Sequence, residues 1–110
     1  MTPRILTVGH ACLDITYMVP NLPQANTKVA GASAKISIGG NAANAAAAIC
    51  DLGARAELCS ILGSESHPFT RLLVQLLASH GVKFSDCYFD EQEACSSSTI
   101  MVTPDGERSI

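Results

Sequence analysis

The sequence predicts an α/β domain in which a parallel sheet carries flanking helices and a separate small sheet is added. Residues 5–9 (ILTVG) are a short apolar run closed by glycine, as expected for a strand buried on both faces in a parallel sheet, and residues 56–62 (AELCSIL), stopped by Gly63, are the next strand candidate. Helical segments follow at 41–52 and 68–80, so strands and helices alternate along the chain. Extended segments between them predict the second sheet.

Each predicted helix is bounded by residues with clear end preferences. Asn41 is the predicted N-cap of the first helix, and Gly53 is the predicted left-handed residue after its last turn. This helix is mostly alanine and apolar nearly all round, so we expect close neighbours on several sides. The second helix opens near Pro68 and ends at Gly81. Its apolar residues recur at helical spacing and predict a core stripe: Phe69, Leu72, Leu73, Leu76 and Leu77.

The strands of the small sheet are predicted from extended segments and a turn. Residues 103–106 (TPDG) predict the turn, and the chain ends on Ile110 soon after it. The two predicted core strands would be too small a parallel sheet to be stable alone. We therefore expect residues 1–110 to be the N-terminal part of a longer protein. The small-sheet strands are expected at about 15–19, 28–38, 86–90 and 97–110.

Composition excludes several classes of protein. Of the 110 residues, 47% are apolar and 15% are charged, which is too apolar for a disordered chain and enough for one domain. The net charge is −3 and no stretch is strongly basic, so a nucleic-acid partner is not expected. No apolar run reaches the roughly 20 residues of a membrane span, so no membrane association is expected.

The five cysteines predict reduced thiols. They form no CxxC pair, so the sequence suggests no zinc site. An odd, scattered set without a secretory signal is typical of a cytoplasmic protein. We expect most of these side chains to act as small core hydrophobes. The five are Cys12, Cys50, Cys59, Cys87 and Cys95.

The segment that opens the first helix is the first candidate binding site. Gly39 and Gly40 allow backbone N–H groups to approach a ligand, and the helix start adds unpaired donors and partial positive charge. Asn44 falls in the first turn, at the third helical position if Asn41 is the cap. Its amide could serve a ligand, or it could simply cap the first turn.

Asp14 is the second candidate. It follows the first predicted strand by a few residues, and ligand crevices in open α/β sheets lie beyond the carboxyl ends of strands. A carboxylate can accept hydrogen bonds from two neighbouring hydroxyls, although a turn-forming Asp is an equally simple explanation. His10 could line the same crevice or be structural. The nucleotide motifs GxxxxGK[ST] and GxGxxG are absent.

These motifs resemble the N-terminal portion of the ribokinase-like (PfkB) carbohydrate kinases. The central feature is GGNAANAA at residues 39–46, followed by LGA at 52–54. The similarity covers essentially the whole chain in order. Further matches are Gly9 with the later Asp14, Gly63 after a strand, Gly81-Val82 after a helix, and GER at 106–108.

The resemblance implies a Rossmann-like α/β fold with a β-sheet lid, formed by the four extended segments, over a sugar site. It implies that Asp14 binds sugar hydroxyls. The backbone of Gly39 and Gly40, with Asn41 and Asn44, would complete that side of the pocket.

The resemblance also implies an enzyme that transfers the γ-phosphoryl group of ATP to a sugar hydroxyl, with Mg²⁺ and a base Asp in a late GxGD motif. That motif and the ATP site do not occur in these residues and are expected beyond Ile110. This chain would therefore position the acceptor, and by itself it is expected to be inactive.

Departures from the family pattern concern the acceptor. Cys12 stands where ribokinases carry an Asn that touches the sugar, so Cys12 joins the expected substrate-binding residues. Asn41 and Ala42 replace a Lys-Gly pair, and Ser64 and Glu65 stand where many members have two acids. These differences indicate an acceptor other than free ribose, such as a substituted ketose or a sugar acid.

Two further hypotheses remain open at this point. The Gly-Gly-Asn helix start could belong to a non-catalytic module that binds a small metabolite. The lid strands could also pair across a homodimer, because exposed sheet edges invite partners. A homodimer is compatible with kinase activity, whereas the non-catalytic binding module is the alternative to a kinase.

Overall fold

A computed structural model of the chain describes residues 2–84 and 93–110. The strand expected at 86–90 lies outside these residues. The strands are β1 (Arg4–Val8), β2 (Cys12–Met18), β3 (Ser33–Gly39), β4 (Arg55–Cys59), β5 (Lys83–Phe84), β6 (Ser97–Val102) and β7 (Arg108–Ser109), and the helices are α1 (Asn41–Asp51) and α2 (Pro68–Ser79).

A three-stranded parallel sheet in the order β1-β4-β5 confirms the α/β class. Arg4 pairs with Arg55 at one end of the β1–β4 ladder, and Val8 pairs with Cys59 at the other. β4 thus begins one residue before the expected run and ends at Cys59, three residues before its expected end.

The prediction that the first strand is buried on both faces is wrong for the described residues. Leu6 is 59% exposed and Val8 is 69% exposed. The reason is that the helices cover one face of the sheet. Ala56 and Leu58 of β4 are buried, whereas Glu57 between them, which pairs with Leu6, is half-buried on the other face.

The second sheet has four strands in the order β3-β2-β6-β7. β2 runs antiparallel to β3 and parallel to β6. β2 begins at Cys12 rather than near residue 15, and β3 begins at Ser33 rather than near residue 28. Asp14 therefore lies inside a strand, not in a loop after the first one. Whether this sheet acts as a lid stays a prediction.

The start of α1 differs from the expected one. Gly40 is the N-cap, with φ +90°, and no side chain caps the helix. Asn41 is therefore the first helical residue, and Asn44 lies one position further along than predicted. The cause is a close approach of the chain to His10. A Cβ on Gly40 would lie 2.7 Å from the carbonyl carbon of His10, so this position suits glycine.

The other helix ends agree with the prediction. Gly53 follows α1 with φ +93°. α2 begins at Pro68, and the Nδ1 atom of His67 accepts a hydrogen bond of 3.1 Å from the backbone N–H of Phe69. Of the predicted leucine stripe, Leu73 and Leu77 are fully buried.

The core lies between the helices and the two sheets. Its fully buried members include Ala43 and Ala46 of α1 and Leu13 of β2. None of the described cysteines is in a disulfide: Cys12 and Cys95 are buried, and Cys50 and Cys59 are partly buried. Cys87 lies outside the described residues. Neither of the two described helices has the length and apolarity that crossing a bilayer would require.

Candidate functional site

Asp14 is held at the centre of the four-stranded sheet. It is the third residue of β2 and pairs with Ser37 on β3 and with Ser98 on β6. Partners in register project to the same face of a sheet, so these three side chains form a polar row across three strands. All three are half-buried, which leaves them reachable by a ligand.

Gly39 provides the surface against which the Asp14 carboxylate lies. A Cβ at position 39 would lie 2.6 Å from Oδ2 of Asp14 and closer still to Oδ1. Gly39 is buried, and its φ does not require glycine. The need for glycine here is therefore space for the carboxylate rather than backbone conformation.

Cys12 contacts the same carboxylate. Its thiol donates to Oδ1 of Asp14 across 3.4 Å, and its sulfur lies 3.5 Å from the hydroxyl oxygen of Ser98. Burial raises the pKa of the Cys12 thiol, and the Asp14 carboxylate adds to that rise, whereas the bond with Ser98 opposes it. Cys12 is therefore a neutral thiol that can donate one hydrogen bond.

The start of α1 is partly occupied by the chain itself. The backbone N–H of Ala43 donates to the carbonyl oxygen of His10 across 3.3 Å, and that of Asn44 donates to Gly40 across 3.0 Å. The bond from Asn44 is the ordinary first bond of the helix, so the remaining donors of the first turn belong to Gly40, Asn41 and Ala42. Fewer free N–H groups face a ligand here than at an open helix start.

Neither asparagine is hydrogen-bonded to the Asp14 row in the described residues, but Asn44 lines a groove that Ser37 of the row also lines. Both side chains are exposed, and neither amide hydrogen-bonds to another residue in the described part of the chain. Asn44 lines a groove of about 460 Å³ between β3, α1 and α2, together with Asp51 and His80. The structure therefore brings Cys12, Asp14 and Gly39 together and places Asn44 in a neighbouring groove.

A cleft of about 690 Å³ opens at the carboxyl ends of β1 and β4. His10 lines it, which agrees with the crevice interpretation of that residue. Cys95 and Ser96 also line the cleft. Cys12 follows His10 by two residues in the chain, and Ser98 follows Ser96 by two. The cleft thus adjoins the Asp14 row.

Sequence reasoning missed Ser37 and Ser98. Ser98 is one of four consecutive serine and threonine residues at 96–99, so polar–apolar alternation does not indicate which face of the strand it lies on. Ser37 lies in an alternating segment, but its partner across the sheet depends on the register of β2. A reliable register would have identified both.

Neither the metal nor the nucleotide implied by the resemblance finds a binding set here. No group of three or more histidine, cysteine or acidic side chains that could hold a metal ion occurs within residues 2–84 and 93–110. The phosphate-binding loop motifs are also absent from the sequence. No step through a metal is derived from the described residues.

Comparison with known families identifies the class of protein to which this α/β fold belongs. The chain belongs to the pfkB family of carbohydrate kinases, whose model matches residues 2–110. The Rossmann-like fold predicted from the resemblance is thereby confirmed.

Two curated relatives have similar identity. The chain is 32% identical over 107 residues to a nucleoside kinase of Methanocaldococcus jannaschii, covering 96% of this chain and 34% of the relative. It is also 32% identical over 107 residues to an ATP-dependent ribose-1-phosphate kinase of Halopiger xanaduensis, covering 97% and 36%. The chain therefore spans about a third of the length of these relatives.

Solved structures of ribokinase-family proteins match the fold of this chain. The crystal structure of the M. jannaschii nucleoside kinase, described as an archaeal member of the ribokinase family, matches with a TM-score of 0.77 at 30% identity, covering 96% of this chain and 35% of that one. An Arabidopsis thaliana ribokinase complexed with ribose and ATP matches with a TM-score of 0.79 at 23% identity, covering 99% and 35%. This second match shows the shared fold alone.

Proposed function

We propose that the protein is an ATP-dependent kinase that phosphorylates a hydroxyl of a sugar or sugar derivative, and that this chain binds the acceptor. Membership of the pfkB family supports the kinase class. The observation that carries the acceptor role is the Asp14 carboxylate, seated on Gly39 and flanked in register by Ser37 and Ser98.

Asp14 would act by orienting the acceptor. A carboxylate accepts hydrogen bonds from one or two sugar hydroxyls, and a bound, oriented acceptor needs less ordering in the transition state. The Gly39 and Gly40 backbone would form the wall beside it. Asn41, beside Gly40, would complete that side of the pocket, and Asn44 would contact an acceptor that extends into the groove it lines with Ser37.

Other parts of the reaction would come from elsewhere in the protein. ATP, Mg²⁺ and the base that takes the hydroxyl proton would be held by residues outside this chain, in keeping with the length of the relatives. Bound Mg²⁺ would neutralise charge that develops on the transferred phosphoryl group. The four-stranded sheet would cover the acceptor as a lid and could pair across a homodimer.

The acceptor class remains to be tested. Departures at Cys12, Asn41 and Ala42 indicate an acceptor other than free ribose. The names of the two curated relatives add nucleosides and ribose 1-phosphate to the substituted ketoses and sugar acids that deserve assay. A phosphorylation panel on the protein that carries this chain should include all four groups beside free ribose.

The decisive experiment replaces Asp14. We expect Asp14→Ala to lower kcat/KM for the acceptor by about tenfold to 150-fold for each sugar hydroxyl that loses its bond, because hydrogen bonds to a charged group contribute about 1.5–3 kcal/mol each. Nucleotide affinity should stay within about twofold. Asp105→Asn is the matched control, since Asp105 is exposed and its carboxylate contacts Thr103, outside both the Asp14 row and the Asn44 groove. Equal loss for acceptor and nucleotide, or loss of neither, would contradict the proposal.

Two outcomes bear on the alternatives. The isolated 110-residue chain should show no ATP-dependent turnover, and measurable turnover would show that the catalytic groups lie within it. Binding of an acceptor without phosphorylation by the protein that carries the chain would favour the non-catalytic binding module.

A further inference from the structure

The Cys12 and Ser98 side chains form a connected pair beside the proposed acceptor site. They come from positions 86 residues apart and meet across the β2–β6 ladder, with 3.5 Å between Sγ and Oγ. The pair ends on Oδ1 of Asp14, 3.4 Å from the same sulfur. Such a chain of polar groups requires a consistent direction of donation.

The Cys12 sulfur also lies 3.7 Å from the carbonyl oxygen of Leu13, so its proton has two acceptors, and the contact with Oδ1 of Asp14 is the shorter. The direction of donation then follows from the number of protons. A thiol has one proton, and an ionised carboxylate can only accept. When the Cys12 thiol donates to Asp14, its sulfur can only accept from Ser98. The hydroxyl of Ser98 must then donate, which gives the order Ser98 O–H to Cys12 S–H to Asp14 Oδ1.

Burial separates Cys12 from direct contact with a ligand. Its side chain is 4% exposed, whereas Asp14 is half-buried and accessible. The raised pKa of Cys12 keeps the thiol protonated, as the chain of donors requires. Cys12 can therefore influence an acceptor chiefly through the carboxylate that it contacts.

We propose that Cys12 and Ser98 are positioning residues that fix the Asp14 carboxylate, holding Oδ1 and presenting Oδ2 to a hydroxyl of the acceptor. The inference rests on the proposed function of Asp14 and assigns Cys12 a different part from that of a substrate ligand. Gly39 leaves the space in which the carboxylate lies, and the Cys12–Ser98 pair contacts the carboxylate at Oδ1.

Steady-state kinetics of the protein that carries this chain test the functional half of the proposal. We expect Cys12→Ala and Ser98→Ala to raise KM for the acceptor about threefold to tenfold, the effect of one hydrogen bond. KM for the nucleotide should not change, and Cys12→Ser should retain most of the affinity because its hydroxyl also donates. Cys50→Ala and Ser97→Ala are matched controls outside the pair and should leave both values unchanged.

A merely structural role would give a different pattern. Loss of packing alone would lower the unfolding temperature of Cys12→Ala and Cys12→Ser alike, with no selective effect on the acceptor. Ser98→Ala removes only one oxygen atom from a half-buried position, so it keeps the proposal testable if the Cys12 variants fold poorly. An unchanged acceptor KM in Ser98→Ala would overturn the positioning role.

Raman spectroscopy of the S–H stretching band tests the geometry without relying on activity. The difference between wild type and Cys12→Ala isolates the Cys12 band, and we expect it to shift in both Asp14→Asn and Ser98→Ala. Absence of any shift would overturn the hydrogen-bonded chain. If the band shifts while Asp14→Ala phosphorylates normally, the proposed function fails and the positioning role fails with it, although the bonded chain stands.

Discussion

The carboxylate of Asp14 lies against the α-carbon of Gly39, on the neighbouring antiparallel strand. The two residues are not paired in register: Gly39 faces Cys12, and Asp14 faces Ser37. The carboxylate therefore reaches diagonally across the ladder into space that any other residue at position 39 would fill. The glycine and the acid form one unit, although 24 residues separate them in the chain.

Gly39→Ala should disrupt this unit. The new Cβ would lie 2.6 Å or less from the Asp14 oxygens, so the carboxylate must move. We expect KM for the acceptor to rise about tenfold or more, in line with loss of a hydrogen bond to a charged group. Gly31→Ala is the control, because its nearest contact would be an ordinary 3.4 Å. Equal KM values for the acceptor in the two variants would show that the space at Gly39 is not needed for acceptor binding.

Gly40→Ala should destabilise the fold more than Gly53→Ala does. Both glycines have φ near +90°, which costs an L-residue roughly 1–2 kcal/mol. A Cβ at position 53 meets nothing within 4 Å, whereas one at position 40 would collide with the backbone at His10. Overpacking adds about 1–3 kcal/mol, so urea unfolding should separate the variants by that amount. Similar losses in both would place the cost in backbone conformation alone.

Thr70 should anchor the segment that leads into β6. Its fully buried hydroxyl accepts a hydrogen bond of 3.0 Å from the backbone N–H of Cys95. Thr70→Val keeps the shape but leaves that N–H unpaired, which should lower the free energy of unfolding by about 1–3 kcal/mol. Thr70→Ser, which keeps the acceptor, should lose less. A Val variant as stable as the Ser variant would count against the bond.

Stability should fall at alkaline pH because of two buried thiols. Burial raises the pKa of both Cys12 and Cys95 above the ordinary value of 9.0. The unfolded chain therefore loses these protons first. The contribution to stability is fully present below pH 9.0 and is lost as pH rises through the raised values of the folded state.

Chemical unfolding between pH 8 and pH 11 measures this dependence, because that window runs from about one unit below to about two units above the reference pKa of a thiol. Replacing Cys12 and Cys95 with Ala should flatten the decline. Replacing the partly buried Cys50 is the control. An equally steep decline in the double variant would assign the effect to other groups.

The sequence could predict features that depend on neighbouring residues. Gly53 after α1 and Pro68 at the start of α2 were predictable because the ends of helices follow local backbone preferences. The N-cap was not, since Gly40 takes that place because of its contact with His10, far along the chain. Burial of the first strand was also beyond a local pattern, because it depends on which face the helices cover.

The class of fold, the family and the candidates Asp14 and Gly39 could be inferred from the sequence, because short motifs and strand–helix alternation occur in consecutive residues. The meeting of Ser98 and Cys12 at the Asp14 carboxylate, and the groove that Asn44 shares with Ser37, follow from the three-dimensional arrangement. Those relationships depend on the register and order of strands. Both are set by packing between distant segments, and a shift of one residue would turn each side chain to the opposite face.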